Sequence, residues 1–133
     1  MISDKMQKAL NEQINAELFS SYLYLSMAAY FECENWLGFS KWMQVQSQEE
    51  YSHAMKFIKY LNDVDGRVLL DGIEKPKSKW KSPLEVFEES HKHEIYITER
   101  INSLVGLAIQ EKDYSTNLFL ICLVTPALFS CKI

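Results

Sequence analysis

Glu50 and His53 stand three residues apart in the run Gln48-Glu49-Glu50-Tyr51-Ser52-His53. On a helix that spacing puts a carboxylate and an imidazole on one face, a turn apart, where both can reach one metal ion. Two more carboxylates occur in similar settings. Glu17 interrupts the series Leu10, Ile14, Ser21, Tyr24, Ala28, and Glu94 interrupts Leu84, Phe87, His91, Thr98, Ile101, Val105, Ala108. Glu50 and His53 themselves fall within Trp36, Phe39, Met43, Gln46, Phe57, Tyr60. Steps of three and four mark each series as one side of a helix. Each break lies near the middle of its helix, and mid-height is the same level whichever way a helix runs. Packed side by side, the helices would gather Glu17, Glu50, Glu94 and His53 in an apolar interior.

Buried like charges raise one another's pKa and are unfavourable when nothing opposes them. Few lysines or arginines fall on these series to do so. A divalent or trivalent cation would, and carboxylate with imidazole suits iron, with manganese or zinc as alternatives. Taken singly, each residue has a plainer reading. Glu-x-x-His arises by chance on many helices. Tyr24, seven residues after Glu17, reads as a core tyrosine with a bonded hydroxyl. Glu49 points to another face than Glu50 and suits plain surface, and His91 with His93 reads as an exposed charge cluster. Three breaks at one height, all with ligand chemistry, carry the metal reading.

The elements that must position these residues are long helices. Ser3 or Asp4 can cap one that runs to about residue 32 without Gly or Pro. Asn35 can start a second over about 36–62, ended at Asp65-Gly66. Ser82-Pro83-Leu84-Glu85 places serine at the N-cap, proline at N1 and glutamate at N3, opening a third helix over about 83–112. Asp113 can cap a fourth over 113–125, stopped by Pro126. Helices this long bury their apolar sides only by packing in parallel rows. The fold expected is an all-α four-helix bundle with a shortened fourth helix and a long crossover, 63–82, between helices two and three. Val68-Leu69-Leu70 in the crossover requires cover from the bundle or from a neighbouring subunit.

The 133 residues fit one domain, and 47% hydrophobic positions supply a core. Four glycines and three prolines offer little turn chemistry for an all-β fold. A net charge of −4 gives no basic footprint for nucleic acid. No apolar run is long enough for a membrane span or a signal peptide. Cys33, Cys122 and Cys131 form no Cys-x-x-Cys pair, which suits a reducing, cytoplasmic setting.

Three stretches, NEQINAELFSSYLYLSMAAYF, GFSKWMQVQSQEEYSHAMKFIKYL and GRVLLDGIEKPKSKWKSPLEVFEESHKHE, closely resemble the non-haem ferritins of bacteria and archaea, and the resemblance extends to about residue 119. It implies a ferritin-like bundle and a cytoplasmic homo-oligomer, a hollow shell of 24 subunits storing ferric mineral. It implies a di-iron ferroxidase centre in which Fe2+ is oxidised to Fe3+ by dioxygen or peroxide. Glu17, Glu50, His53 and Glu94 would be iron ligands, with Glu50 bridging. Tyr24 would be the catalytic neighbour of the pair, and Glu49 would belong to a third, weaker iron position. The crossover would pair with its mate across a two-fold axis.

The resemblance fails in the fourth helix, where Gln-x-x-Glu in an acid-rich run would complete the site. Ala127 and Ser130 stand there instead, and the change of character near residue 120 resembles a shifted reading frame. The alternative function is therefore a catalytically incomplete structural ferritin subunit.

Overall fold

The computed structural model describes residues 1–129, with side chains described as far as Leu123. It consists of α1 (Asp4–Cys33), α2 (Leu37–Asp63), α3 (Pro83–Gln110) and α4 (Tyr114–Phe129), with no strand among the described residues. At 1.5 Å per residue the first three are about 40–45 Å long and α4 about 24 Å. This is the expected four-helix bundle with a short last member.

The helix starts follow the sequence closely. The Ser3 hydroxyl accepts from Met6 N at 3.1 Å, Ser82 accepts from Glu85 N at 3.2 Å, and Asp113 accepts from Thr116 N at 3.1 Å. Each satisfies a backbone donor that the first helical turn leaves open. Asn35 departs from expectation. With φ of 64° it ends α1, and the Trp36 amide bonds back to Phe31 O at 2.8 Å. Asparagine tolerates the left-handed region better than most residues, so it closes a helix here and opens none. Asp65 and Lys112 end α2 and α3 with the same back-bond. Gly66 follows Asp65 because a Cβ there would sit 2.4 Å from Leu61 Cδ1 and 3.0 Å from Leu61 O.

Pro126 does not stop α4, which continues to Phe129. Proline's φ is helical, and its missing donor removes one bond from a helix already three turns long; the interruption is costly without being terminal. Ser130 and Cys131 lie outside the described residues.

α1 and α2 form a tight antiparallel hairpin. Ser21 and Ser47 exchange hydroxyl bonds with each other's carbonyls at 2.8 and 2.7 Å, and Ser40 donates to Ala28 O at 3.0 Å. Small side chains let the backbones approach this closely. The crossover then climbs the outside of α1. Asn11 bonds both Arg67 O and Leu69 N near the bottom, and Ser26 donates to Lys77 O near the top. Trp80 is buried at the end of this path. Val68 packs on the core, while Leu69 and Leu70 remain 56% and 68% exposed.

The core splits in two. A lower cluster contains Met6, Leu10, Ile14, Phe57, Leu61, Ile101, Leu104, Leu120 and Leu123. An upper one contains Tyr24, Met27, Phe31, Met43, Trp80 and Val86. The described side chains of α4 join only the lower cluster, where Phe119 stacks on Tyr60 at 4.2 Å between centroids and meets Phe57 edge-on at 5.3 Å. Between the clusters, at mid-height, lie the residues that interrupted the apolar series.

α3 is turned relative to the side expected for it. Leu84, His91 and Thr98 are exposed and Val86, Ser90 and Leu104 are buried, while Ile101 and Ala108 are buried as the spacing required. One residue is about 100° of helix, so in its N-terminal half a one-residue difference in facing exchanges buried for exposed positions. Trp36 and Phe39 are also exposed, at the top of α2.

Candidate metal centre

Glu17 comes from the middle of α1; Glu50 and His53 come from the middle of α2. The carboxylates are 1% and 3% exposed and the imidazole 23%. His53 Nδ1 lies 3.4 Å from Glu50 Oε2 and 3.8 Å from Glu17 Oε2. One ligand atom from each of the three lies within 4.8 Å of the others. Donors bonded to one ion at about 2.0–2.2 Å stand no more than about 4.4 Å apart, so both measured separations suit a shared cation. The fit is supported by an orphan: Glu17 Oε2 is buried and has no hydrogen-bond partner. It faces the His53 nitrogen at 3.8 Å, beyond hydrogen-bond reach, and a cation there would satisfy it more fully.

The charges of this group are strongly coupled. Burial alone would raise the Glu17 carboxyl, but the His53 imidazole, the Glu50 carboxyl and the Gln13 amide together more than offset it, and the net direction is down. Glu50 goes up, from burial and from the facing Glu17. The two carboxylates, working against burial, push His53 up to about 9. In the metal-free chain, the nitrogen that faces the site therefore holds a proton at neutral pH, standing in for a cation.

That proton sets opposite pH trends for stability and for binding. A raised histidine pKa contributes stability that is complete below the unfolded value of 6.5 and is lost as pH rises through about 9. A metal must displace the proton, so its apparent affinity climbs up to about tenfold per pH unit over the same window. Between pH 6.5 and 9, thermal melts of the metal-free protein should move down while Co(II) titrations tighten. Parallel trends would show that His53 does not ligate through this nitrogen.

The other predicted site residues are placed differently. Glu94, on α3, is half-buried and accepts a hydrogen bond from the Tyr24 hydroxyl, outside the three-residue group. Burial and the adjoining Glu94 push Tyr24 strongly up, so its hydroxyl stays protonated and donates. Glu49 is half-buried and also outside the group. His93 is no exposed charge: its Nε2 lies 2.7 Å from Ser20 Oγ, its ring meets Tyr24 edge-on, and burial lowers its pKa. Gln13 was missed. It is fully buried and donates to Glu17 Oε1 at 3.0 Å. Its place four residues before Glu17 was the available signal.

A bundle whose core parts around inward carboxylates and an imidazole defines the class of ferritin-like metal proteins. A family model for the ferritin-like domain matches residues 7–125. The chain belongs to the ferritin family, whose members bind and store iron. It is 47% identical over 120 residues to a bacterial non-heme ferritin of Bacteroides fragilis, covering 90% of this chain and 76% of that protein. A bacterial non-heme ferritin of Campylobacter jejuni is 42% identical over 120 residues, at 90% and 72% coverage. Among solved structures, the open pore ferritin of Archaeoglobus fulgidus superposes with a TM-score of 0.94 at 51% identity, over 96% of this chain and 79% of that one. No helix among the described residues is long and apolar enough to cross a membrane.

Proposed function

We propose that this protein takes up Fe(II) at the centre formed by Glu17, Glu50 and His53, oxidises it, and stores the ferric product inside a homo-oligomeric shell. The observation that carries this reading is the meeting of three ligand groups from two helices where the apolar core parts. Hard carboxylate oxygens favour Fe(III) over Fe(II), which eases loss of the electron. Two irons held together can deliver two electrons, and with two protons these convert dioxygen to hydrogen peroxide without releasing a one-electron radical.

In this reading Glu50 bridges two irons, Glu17 and His53 hold the first, and Glu94 serves the second. Tyr24 steers Glu94 through its hydroxyl and keeps that carboxylate's charge directed. Glu49 takes a third, weaker iron. The shell is the 24-subunit one that the family resemblance implied. The exposed thiols of Cys33 and Cys122 suit a reducing cytoplasm.

One observation favours the alternative, a structural subunit with an incomplete centre. α4 carries no acidic residue, so nothing on it can replace the ligands expected near Ala127 and Ser130. Loading the protein with Fe(II) without oxygen and then admitting air separates the two readings. A near-ultraviolet ferric-oxo absorbance should rise faster than in a protein-free blank. No excess over that blank would leave the structural reading.

A further inference from the structure

A line of hydrogen bonds enters the centre from outside it. Arg100, on α3, donates from Nε to Gln13 Oε1 at 3.0 Å, and from Nη1 to the Tyr96 hydroxyl at 3.2 Å. Gln13, one turn before Glu17 and fully buried, donates from Nε2 to Glu17 Oε1 at 3.0 Å. The guanidinium has donors only, so it fixes which end of the amide faces it. The NH2 end must then face the carboxylate. One oxygen of Glu17 is thereby occupied, and the other, Oε2, is buried without a hydrogen bond and faces His53 Nδ1 at 3.8 Å.

We propose that Gln13 and Arg100 are positioning residues for Glu17: the guanidinium locks the amide, the amide holds one carboxylate oxygen, and Glu17 can present a cation with a single oxygen only. The proposal rests on the metal reading above and goes beyond it, because neither residue is a ligand. A tie between α1 and α3 alone would not require the line to end on a carboxylate, nor to turn that carboxylate's second oxygen toward His53. Groups that hold a ligand from behind fix its orientation and charge, and their loss weakens metal binding without unfolding the protein.

The test uses Co(II) alone as the probe, followed by its visible absorption and by calorimetry, with far-UV helicity recorded alongside. Gln13→Leu keeps the bulk and removes both bonds. It should weaken Co(II) binding by about 10–100-fold and alter the cobalt band, since Glu17 becomes free to turn, with helicity unchanged. Arg100→Leu should shift both readouts the same way. The double variant should be no worse than Gln13→Leu, because the two residues act in series. Arg100 lies nearer solvent, so it carries the test should Gln13→Leu fail to fold. Wild-type affinity and an unaltered cobalt band in either folded variant would overturn the positioning role. Fully additive losses in the double variant would overturn the series arrangement. A wild-type protein that takes up no Co(II) would remove the metal reading and this proposal together.

Discussion

Glu50→Ala should lower affinity for Fe(II) or Co(II) by at least about 100-fold, beyond the range typical of losing a group behind a ligand. Glu50 is 3% exposed and lies 3.4 Å from His53, so its carboxylate faces both partners of the centre at once. Removing it deletes a proposed ligand and one of the two carboxylates that face His53. A second signature follows: the His53 pKa should fall from about 9, because one of its two carboxylate partners is gone. Far-UV helicity should persist, since alanine is the strongest helix former and Glu50 occupies mid-helix. Titration calorimetry and NMR of the imidazole check the two effects. Unchanged metal stoichiometry and affinity would remove Glu50 from the site.

Phe57→Ala should destabilise the protein by about 3–5 kcal/mol, the usual cost of emptying a buried aromatic site. Typical domains have about 5–15 kcal/mol in total, so much of the margin would vanish. Phe57 is fully buried in the lower cluster with Leu10, Leu61 and Leu120, and it receives the edge of Phe119. That contact helps to anchor α4, together with Leu120 and Leu123 in the same cluster. The urea midpoint should drop accordingly. Phe57 belongs to the lower cluster and is not among the three residues of the centre, so metal at 100 times its Kd should restore about 2.7 kcal/mol. A loss under about 1 kcal/mol would show that the lower cluster is not packed tightly against α4.

The two substitutions probe the two halves of one arrangement. The lower cluster and the upper cluster give the bundle its cohesion, and the layer between them holds charge that an apolar core alone would reject. α4 has 16 residues, against 30, 27 and 28 in α1, α2 and α3. Its shortness bears on the centre, where no α4 side chain supplies an acid, and on the upper cluster, which no described α4 side chain joins. Trp80 partly closes that upper end from the crossover, through a bond from its indole nitrogen to Glu89.

Much of this was legible in the chain because it is local. Helix starts at Ser3, Ser82 and Asp113 depend on bonds across three residues. The apolar series of α1 depends on its own period, and Leu10, Ile14, Glu17, Tyr24 and Ala28 are all buried as the spacing required. The pairing of Glu50 with His53 depends on one helical turn. Asn35 and Pro126 misled because each residue type has two local uses: asparagine can open or close a helix, and proline can end one or be carried within it.

What only the tertiary structure decided is how each helix is rotated about its axis and which distant polar groups then meet. α3 has several partly apolar sides, and the side that packs is chosen by α1 and α4, not by its own sequence. That rotation sends Glu94 to the Tyr24 hydroxyl, His93 to Ser20 and Arg100 to Gln13, pairs separated by 70, 73 and 87 residues. The sequence by itself determined that four helices form and that acids interrupt their apolar sides, because hydrogen bonding and periodicity act over a few residues. Contacts across the bundle follow from packing several surfaces at once, and no single stretch of chain contains that information.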